Sequence, residues 1–193
     1  MIRIATEADV PQILAIYEPY VLNTTVTFEY DPPSQEAFGQ RFRDITGQFP
    51  WLVWEEDGKI LGYAYASAPY SRAAYAWCAE PSVYLLPQAR GQGIARQLYL
   101  ALEKCLALQG YQLLYALVTQ ENEASLRFHE KMGYFLRAAF PDCAFKFGKN
   151  LGVNWLEKRL KSPENPLQFP TPWPLIVQDV QKHTDILDTL SLS

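Results

Sequence analysis

Residues 86–104 read "LPQARGQGIARQLYLALEK", in which a basic, glycine-containing loop leads directly into an amphipathic helical pattern. The first N–H groups of a helix have no partner within the helix, and together with the helix dipole they attract anions. Gly91 and Gly93 have no Cβ, so a phosphate can approach the backbone closely. Arg90 and Arg96 can add charge-assisted hydrogen bonds. The loop therefore predicts an anion site, the alternative being an ordinary turn that needs glycine for its dihedral angles.

The loop does not complete either of two common phosphate motifs. It lacks the Gly-Lys-Ser/Thr ending of a P-loop, and Arg96 stands where a dinucleotide-binding fingerprint has its third glycine. The loop alone therefore leaves the identity of the anion open.

The composition favours one soluble domain without a metal site. The chain has 193 residues, of which 49% are hydrophobic, and a formal net charge of −4, which argues against a general nucleic-acid binder. Cys78, Cys105 and Cys143 stand far apart, no CxxC occurs, and both histidines are isolated. We expect neither a zinc site nor a disulfide framework, and a cytoplasmic location.

The sequence shows no sign of a membrane segment. The first ten residues, "MIRIATEADV", contain no apolar h-region, and no apolar run of about 18 residues occurs anywhere. We therefore expect no signal peptide and no membrane partner.

Strand-like and helix-like patterns alternate along residues 1–161. Residues 51–67 predict a hairpin that turns at Asp57-Gly58. The nearly apolar run "YQLLYALV", residues 111–118, predicts a central strand covered on both faces. Two further strand-like runs, residues 134–140 and 151–160, follow a short helix. This order predicts an α/β fold with one mixed sheet in a single domain.

The composition changes at Ser162, where five prolines follow within a dozen residues. We predict a domain at residues 1–161 and an extended or loosely docked proline-rich tail at residues 162–193. The segment "PLIVQDVQKHTDILDTL", residues 174–190, predicts a short amphipathic helix in this tail.

Two segments together carry a family resemblance. "VYLLPQARGQGIARQLYLALE" followed by "ENEASLRFHEKMGY" resembles the GNAT superfamily of acetyl-CoA-dependent N-acetyltransferases. The R/Q-x-x-G-x-G/A motif of that family is matched by Arg90, Gly93 and Ala95. The segments "YVLNTTVTFEYDPPS", "AEPSVY", "LRFHEKMGY" and "FKFGKN" are similar to the phosphinothricin acetyltransferase-like subfamily. The resemblance runs from Ile2 to about Leu160.

The resemblance implies a twisted mixed sheet, flanked by helices, whose central parallel strands splay apart to hold acetyl-CoA. It places the pyrophosphate on the turn formed by Arg90, Gly91, Gln92, Gly93, Ile94, Ala95 and Arg96. It places the pantetheine arm along Val83, Tyr84 and Leu85, which fits the need of an unpaired strand edge for hydrogen-bond partners. Asn122 and Ser125 match positions near the thioester, although Asn122 is equally suited to capping a helix.

Glu80 is an acidic residue in an otherwise apolar and aromatic strand. Burial would raise the pKa of its carboxyl group and make it a usable base near neutral pH. The alternative is a solvated or arginine-paired carboxylate, but the resemblance implies the catalytic glutamate at this position. Pro81 removes a backbone donor beside it, which indicates either a bulge where the splay starts or an altered geometry.

His129 lies where the usual GNAT helix carries a tyrosine that protonates the departing thiolate, so the resemblance implies a proton donor. The alternative is a histidine that is hydrogen-bonded for structural reasons.

The acceptor site is predicted from two segments. In "APYSRAAY", Arg72 and Tyr75 precede the strand that bears Glu80, and an arginine fork suits a carboxylate or phosphinate. The alternative for Arg72 is a solvated surface arginine, which the residues alone favour. Phe28 is either a wall of the acceptor pocket or a core residue. We interpret Cys78 as a packing residue, because no Cys-His arrangement is visible near it.

The segment "FKFGKN" departs from the subfamily, which usually has Arg-Trp at the positions of Lys149 and Asn150. That departure leaves the identity of the acceptor open. The resemblance implies direct transfer of acetyl from acetyl-CoA to the primary amine of a small amino acid or analogue, such as phosphinothricin or methionine sulfoximine. The alternatives are another amine or a protein N-terminus as acceptor, or a non-catalytic acyl-CoA-binding protein. A homodimer is also possible.

Overall fold

The structure, a computed structural model, describes residues 1–162 and 168–182. These residues form seven strands and five helices, in an order that follows the predicted pattern. The elements are β1 (Ile2–Ile4), α1 (Val10–Asn23), α2 (Gln35–Thr46), β2 (Trp51–Glu56), β3 (Lys59–Ser67), β4 (Cys78–Leu85), α3 (Ile94–Gln109), β5 (Leu113–Thr119), α4 (Glu123–Lys131), β6 (Phe135–Lys146), β7 (Lys149–Arg159) and α5 (Trp173–Lys182).

The seven strands form one mixed sheet in the order β1-β2-β3-β4-β5-β7-β6. All neighbouring strands are antiparallel except β4 and β5. These two parallel strands pair only at Cys78–Leu113 and Ala79–Leu114, at the start of each strand. They then diverge, so the predicted mixed sheet with splayed central strands is confirmed.

Local sequence signals explain several boundaries of these elements. The Oγ of Ser34 accepts a hydrogen bond from the N–H of Ala37 at 3.2 Å, which caps α2. Asp57 and Gly58 both have positive φ, as a two-residue hairpin between β2 and β3 requires. Gly133 has a φ of +86° just beyond α4 and ends that helix as predicted.

Helices cover the two faces of the sheet unequally. Helices α1 and α2 pack on one face of β2, β3 and β4, while α3 packs on the opposite face of β2 to β5. On the strand β5, Leu114 and Ala116 are buried against α3, but Leu117 is 40% exposed on the other face. The prediction that this strand is covered on both faces was therefore wrong for Leu117, because α1 and α2 stop short of it.

The last two strands are longer than the sequence pattern indicated. Strands β6 and β7 pair from Phe135–Glu157 to Lys146–Lys149, with a register shift between Phe140 and Ala144. The irregularity lies at Pro141 and Asp142, which interrupt the apolar pattern. Strand β6 continues through this bulge, whereas the strand predicted from the sequence ended at residue 140, just before it.

The beginning of the tail is docked on the domain. The indole of Trp173 is 3% exposed and packs against Cys105 of α3. The backbone N–H of Thr171 donates to the carbonyl of Gln109 at 2.7 Å, and the side-chain amide of Gln109 donates to the carbonyl of Thr171 at 2.9 Å. These contacts are tighter than the loose docking predicted, because a tryptophan supplies a large apolar surface to bury.

The predicted tail helix is present as α5, and its predicted continuation beyond Lys182 lies outside the described residues. The domain boundary at residue 161 stays a prediction. Among the helices of residues 1–162 and 168–182, none combines the length and apolar composition that a bilayer-spanning segment needs. The same residues contain no group of three or more His, Cys, Asp or Glu side chains placed to hold a metal ion.

Candidate active site

The splay exposes one backbone edge of β4 to the gap beside β5. The N–H of Leu86 donates to the carbonyl of Leu61 in β3 at 2.9 Å. Because backbone groups alternate in direction along a strand, those of Val83 and Leu85 point away from β3 and toward the gap. Those of Tyr84 point toward β3. Of the three positions predicted to bind pantetheine, two therefore have backbone groups that face the gap.

Tyr20 of α1 forms hydrogen bonds with the backbone at the outer end of this edge. Its hydroxyl accepts from the N–H of Leu85 at 3.2 Å and donates to the carbonyl of Leu85 at 2.6 Å. An Nη of Arg90 donates to the same hydroxyl at 3.1 Å. Because Leu85 is already satisfied, Val83 is the predicted position whose backbone groups are best placed to bind a ligand in the gap.

The glycine turn opens toward solvent at the start of α3. Gly91 and Gly93 have φ values of +77° and +79°, and an added Cβ at either would meet no atom within 4 Å. Arg90 and Arg96 are exposed, whereas the side chain of Ile94 is buried in the core and anchors the turn. The N–H groups of the first turn are thus accessible, with two arginines beside them.

Three other predicted cofactor positions have partners within the protein. The side-chain amide of Gln92 donates to the carbonyl of Gln88 at 2.7 Å, and Ala95 packs against the core. The Oδ1 of Asn122 accepts from the N–H of Ser125 at 3.2 Å and so caps α4. The capping alternative for Asn122 is therefore realised.

Glu80 lies at the junction of two cavities. We call the first the gap cavity; it has about 70 Å³ between β4 and β5 and reaches Tyr99, Ser125 and His129. We call the second the outer cavity; it has about 260 Å³ on the face that carries Leu117. Glu80 lines both, so a single carboxyl group borders the two spaces.

The carboxyl group of Glu80 has the environment expected of a base. Burial raises its pKa above the ordinary glutamate value. Within the described part of the chain, no ion pair with Glu80 is formed. The arginine-paired alternative is thus absent from these residues.

Pro81 does not produce the bulge considered from the sequence. The β3–β4 ladder continues without a register shift through Glu80–Ser67 and Pro81–Ala66. The imide nitrogen of Pro81 points away from β3, as the alternation along β4 requires, so its missing N–H removes no bond from that ladder. The carbonyl of Pro81 faces the gap and lies 3.0 Å from the hydroxyl of Tyr99.

His129 is buried, with a partner at each ring nitrogen. Its Nε2 lies 2.8 Å from the hydroxyl of Tyr99, and its Nδ1 lies 2.8 Å from the carbonyl oxygen of Ser125. Burial lowers the pKa of His129. The sequence analysis did not identify Tyr99, because a tyrosine next to Leu98 on an amphipathic helix is normally interpreted as a packing residue.

The outer cavity contains polar groups that the sequence did not single out. Arg41 of α2 forms an ion pair with Glu29 at 2.7 Å on its rim. Burial raises the pKa of Tyr65 to about 12, so its hydroxyl stays protonated. The Oγ1 of Thr119 is buried and has no hydrogen-bond partner within the described residues. Glu29, Arg41 and Tyr65 thus offer donors and acceptors to a small polar molecule in this cavity.

The predicted acceptor residues are divided between cavities. Phe28 lines the outer cavity together with Glu80. Arg72 and Tyr75 instead line a separate cavity of about 350 Å³, which Phe169 of the tail also lines. Cys78 also borders this third cavity, and burial raises the pKa of its thiol, which does not favour a reactive thiolate.

Comparisons with known proteins agree with this geometry. The family model for the acetyltransferase (GNAT) domain matches residues 2–155. A phosphinothricin N-acetyltransferase of Alcaligenes faecalis is 34% identical over 168 residues, which cover 86% of this chain and 85% of that protein. An L-methionine sulfoximine/L-methionine sulfone acetyltransferase of Salmonella typhimurium is 31% identical, over 82% of this chain and 94% of that protein.

A solved structure shows the same fold. The crystal structure of a GNAT superfamily phosphinothricin acetyltransferase from Sinorhizobium meliloti, in complex with AcCoA, superposes with a TM-score of 0.83. The match covers 90% of this chain and 97% of that chain, at 33% identity. The splayed sheet, the glycine turn and these matches together show that the chain belongs to the GNAT acetyltransferase family.

Proposed function

We propose that this protein transfers the acetyl group of acetyl-CoA to the primary amine of a small amino acid or analogue of the phosphinothricin or methionine sulfoximine type. The observation that carries the proposal is the position of Glu80, which is partly buried, forms no ion pair within the described residues and lines both the gap cavity and the outer cavity. One base can therefore reach an amine in one cavity while a thioester lies in the other. The names of the relatives agree with this substrate class.

The residues around the gap fit acetyl-CoA. The glycine turn leaves open the space that a Cβ would fill, and Arg90 and Arg96 lie beside the accessible N–H groups. That arrangement suits the pyrophosphate, and the gap edge at Val83 suits an extended arm with amide groups. Acetyl-CoA supplies an activated thioester carbonyl when bound.

The chain itself supplies a base and a hydrogen-bond donor. Glu80 removes a proton from the substrate ammonium, directly or through a water molecule, which frees the lone pair of the nitrogen. The N–H of Val83 faces the gap and can donate to the thioester oxygen as negative charge develops there. Holding both reactants in line across the junction at Glu80 contributes the rest of the acceleration through proximity.

His129 acts through Tyr99 in this proposal. Its lowered pKa keeps the imidazole neutral at pH 7, so it orients the Tyr99 hydroxyl and holds no proton ready for transfer. An ordinary alkyl thiol has a pKa of about 8.5, so the sulfur can leave as a thiolate when the C–S bond breaks and take up a proton from water afterwards.

The outer cavity is then the acceptor cavity. Phe28 forms an apolar wall, and Arg41 and Tyr65 bring polar groups to the same cavity. We retain Arg72 and Tyr75 as candidates for binding the acceptor from the third cavity.

Thiol release from acetyl-CoA tests this function directly. The acceptor panel contains phosphinothricin, methionine sulfoximine, methionine sulfone, an arylalkylamine, a peptide with a free N-terminus and a control without acceptor. Release that requires one of the three amino acid analogues supports the proposal. Release only with the arylalkylamine or the peptide would show that the acceptor is not an amino acid analogue but another amine or a protein N-terminus. Binding of acetyl-CoA without release in any arm would indicate a non-catalytic binding protein.

We also propose a homodimer in a reducing, cytoplasmic compartment. Strand β6 is an edge of the sheet and carries four large apolar side chains that are exposed, namely Phe135, Leu136, Phe140 and Phe145. Exposed apolar edges of this kind favour association between copies. The three cysteines are free, as expected in a reducing compartment. Light scattering of the purified protein would give the mass of the particle, and a monomer at all concentrations would contradict the dimer.

A further inference from the structure

Lys146 is buried in the β6–β7 hairpin although it carries a charge. Its residue is 1% exposed, and its Nζ donates to the carbonyl oxygens of Val21, Thr24 and Thr27 at 2.8, 2.9 and 2.8 Å. An ammonium group has three N–H donors, and all three are used here. Among the described residues no salt bridge with Lys146 is formed. The three carbonyls compensate its burial, together with the Phe147 ring, whose centroid lies 4.9 Å from Nζ, and the charge of Glu29.

The accepting carbonyls lie where α1 ends and the chain turns away. Carbonyls in the last turn of a helix have no partner within the helix and carry the negative end of its dipole. Val21 is in that last turn, Thr24 follows it, and Thr27 lies in the segment beyond. Lys146 therefore closes the end of α1 and fixes the segment that follows with one group.

The segment fixed in this way forms a wall of both reactant cavities. We call residues 24–30 the 24–30 loop. Its Val26 lines the gap cavity and the outer cavity, and its Thr27 and Phe28 line the outer cavity. A second contact also joins this loop to the β6–β7 hairpin: the hydroxyl of Tyr30 donates a hydrogen bond to the carbonyl of Phe145.

We propose that Lys146 is a positioning residue for the acceptor, which holds the 24–30 loop as a wall of the outer cavity from the opposite side of the site. It touches neither reactant and acts only through the loop. That the outer cavity binds the acceptor rests on the proposed function above. The clamp, by which we mean the three hydrogen bonds from Lys146 to the loop and the end of α1, does not depend on it. The motif "FKFGKN" thus has a structural reason for its lysine, namely that its ammonium group donates one hydrogen bond to each of the three carbonyls.

Lys146→Met tests the clamp, because methionine keeps the apolar stem and removes the donors. The three carbonyls are then left buried without partners, and we expect amide hydrogen exchange at residues 24–28 to become faster by about tenfold or more. The KM for the best acceptor should rise by a similar factor, while the Kd for CoA measured by calorimetry should stay within about twofold. Lys59→Met in the β2–β3 hairpin is the matched control, because Lys59 is exposed.

Tyr30→Phe provides a milder second variant, since it removes one loop–hairpin hydrogen bond at an exposed position. It should raise exchange at residues 24–28 and the acceptor KM in the same direction, by about threefold. Folded Lys146→Met with wild-type exchange and wild-type acceptor KM would overturn the proposal, and so would an equal loss of CoA affinity and acceptor affinity. If Lys146→Met does not fold, the absence of any change in Tyr30→Phe overturns it. Amide hydrogen exchange can be measured without turnover. If the wild-type protein releases no thiol, the proposed function is refuted, but the exchange measurements still test whether Lys146 holds the loop.

Discussion

The hydroxyl of Tyr99 lies 2.8 Å from Nε2 of His129 and has only one hydrogen to donate. The Nδ1 of His129 faces the carbonyl of Ser125, which can only accept, so Nδ1 carries a hydrogen. In a neutral ring Nε2 is therefore the acceptor and takes the tyrosine hydrogen. When the ring is protonated, Nε2 donates to Tyr99, and the tyrosine hydrogen turns to the carbonyl of Pro81, 3.0 Å away. The charge of one buried side chain thus sets the direction of a hydroxyl that borders the gap cavity.

Tyr99→Phe should lower kcat by about five- to tenfold, because one hydrogen bond of a buried network is lost and His129 keeps an unpaired Nε2. CoA affinity should not change. Tyr134→Phe is the matched control, since the Tyr134 ring also contacts the His129 ring but its hydroxyl makes no bond to it. Steady-state kinetics and calorimetry on both proteins give the answer. Equal kcat in Tyr99→Phe and wild type would remove Tyr99 from the site.

Glu80→Gln should lower kcat by about 10²- to 10⁴-fold at pH 7, because the amide keeps the shape but cannot accept a proton. The deficit should shrink as pH rises, since the substrate amine then loses its proton without help. CoA affinity should stay the same. The pH–rate profiles of both proteins, with Glu18→Gln as an exposed control, measure this effect. Full activity of Glu80→Gln between pH 6 and 9 would place the base elsewhere.

The same variant makes a stability prediction with a definite sign. Burial raises the pKa of Glu80 in the folded state, so the ionised carboxylate is disfavoured there. The folded protein binds more protons than the unfolded chain, and this group costs stability as pH rises through its folded pKa. Relative to wild type, Glu80→Gln should therefore gain melting temperature as pH rises from 4 to 8. A difference that is constant with pH would contradict the buried carboxylate.

Gly93→Val should weaken CoA binding by about tenfold or more, because the new side chain enters the open space at the helix N-terminus. A positive φ also strains any residue with a Cβ, at a cost of about 1–2 kcal/mol. Gly58→Val separates the two effects, because Gly58 has a φ of +76° and equally open space but lies in the β2–β3 hairpin. Both variants should lose similar stability in urea titrations. Unchanged CoA affinity in folded Gly93→Val would remove the pyrophosphate assignment.

Truncation after Lys161 should separate stability from chemistry. Loss of buried Trp173 and its contacts with α3 should reduce the free energy of unfolding by about 3–5 kcal/mol, as for deletion of a large aromatic side chain. Turnover of the folded fraction should stay within a few-fold, because no described tail residue lines the gap cavity or the outer cavity, where Glu80 lies. Urea titration and thiol release measure the two quantities. A folded but inactive truncation would show that the tail completes the site.

Much of the fold and part of the candidate site follow from local patterns. The glycine turn, the hairpin at Asp57-Gly58 and the acid in an apolar strand are all short-range signals with a physical cause, and each led to the right element. Tyr99 and Lys146 could not be found in this way. Tyr99 meets His129 across 30 positions, and Lys146 meets Val21 across 125, so only the folded chain shows their partners. Leu117 was misjudged for a related reason, since an apolar strand does not reveal where its covering helices end.

The two-pair seam between β4 and β5 has a thermodynamic consequence. Beyond Ala79, β4 and β5 are not paired by backbone hydrogen bonds. A molecule that binds in the gap therefore adds contacts between the two halves of the sheet that the protein alone does not form. A ligand that binds only the folded state stabilises it by about 2.7 kcal/mol at a hundred times its Kd. The melting temperature of this protein should consequently follow the concentration of acetyl-CoA. In a cell, the concentration of free acetyl-CoA relative to its Kd would then influence the amount of the enzyme that survives, in addition to its rate.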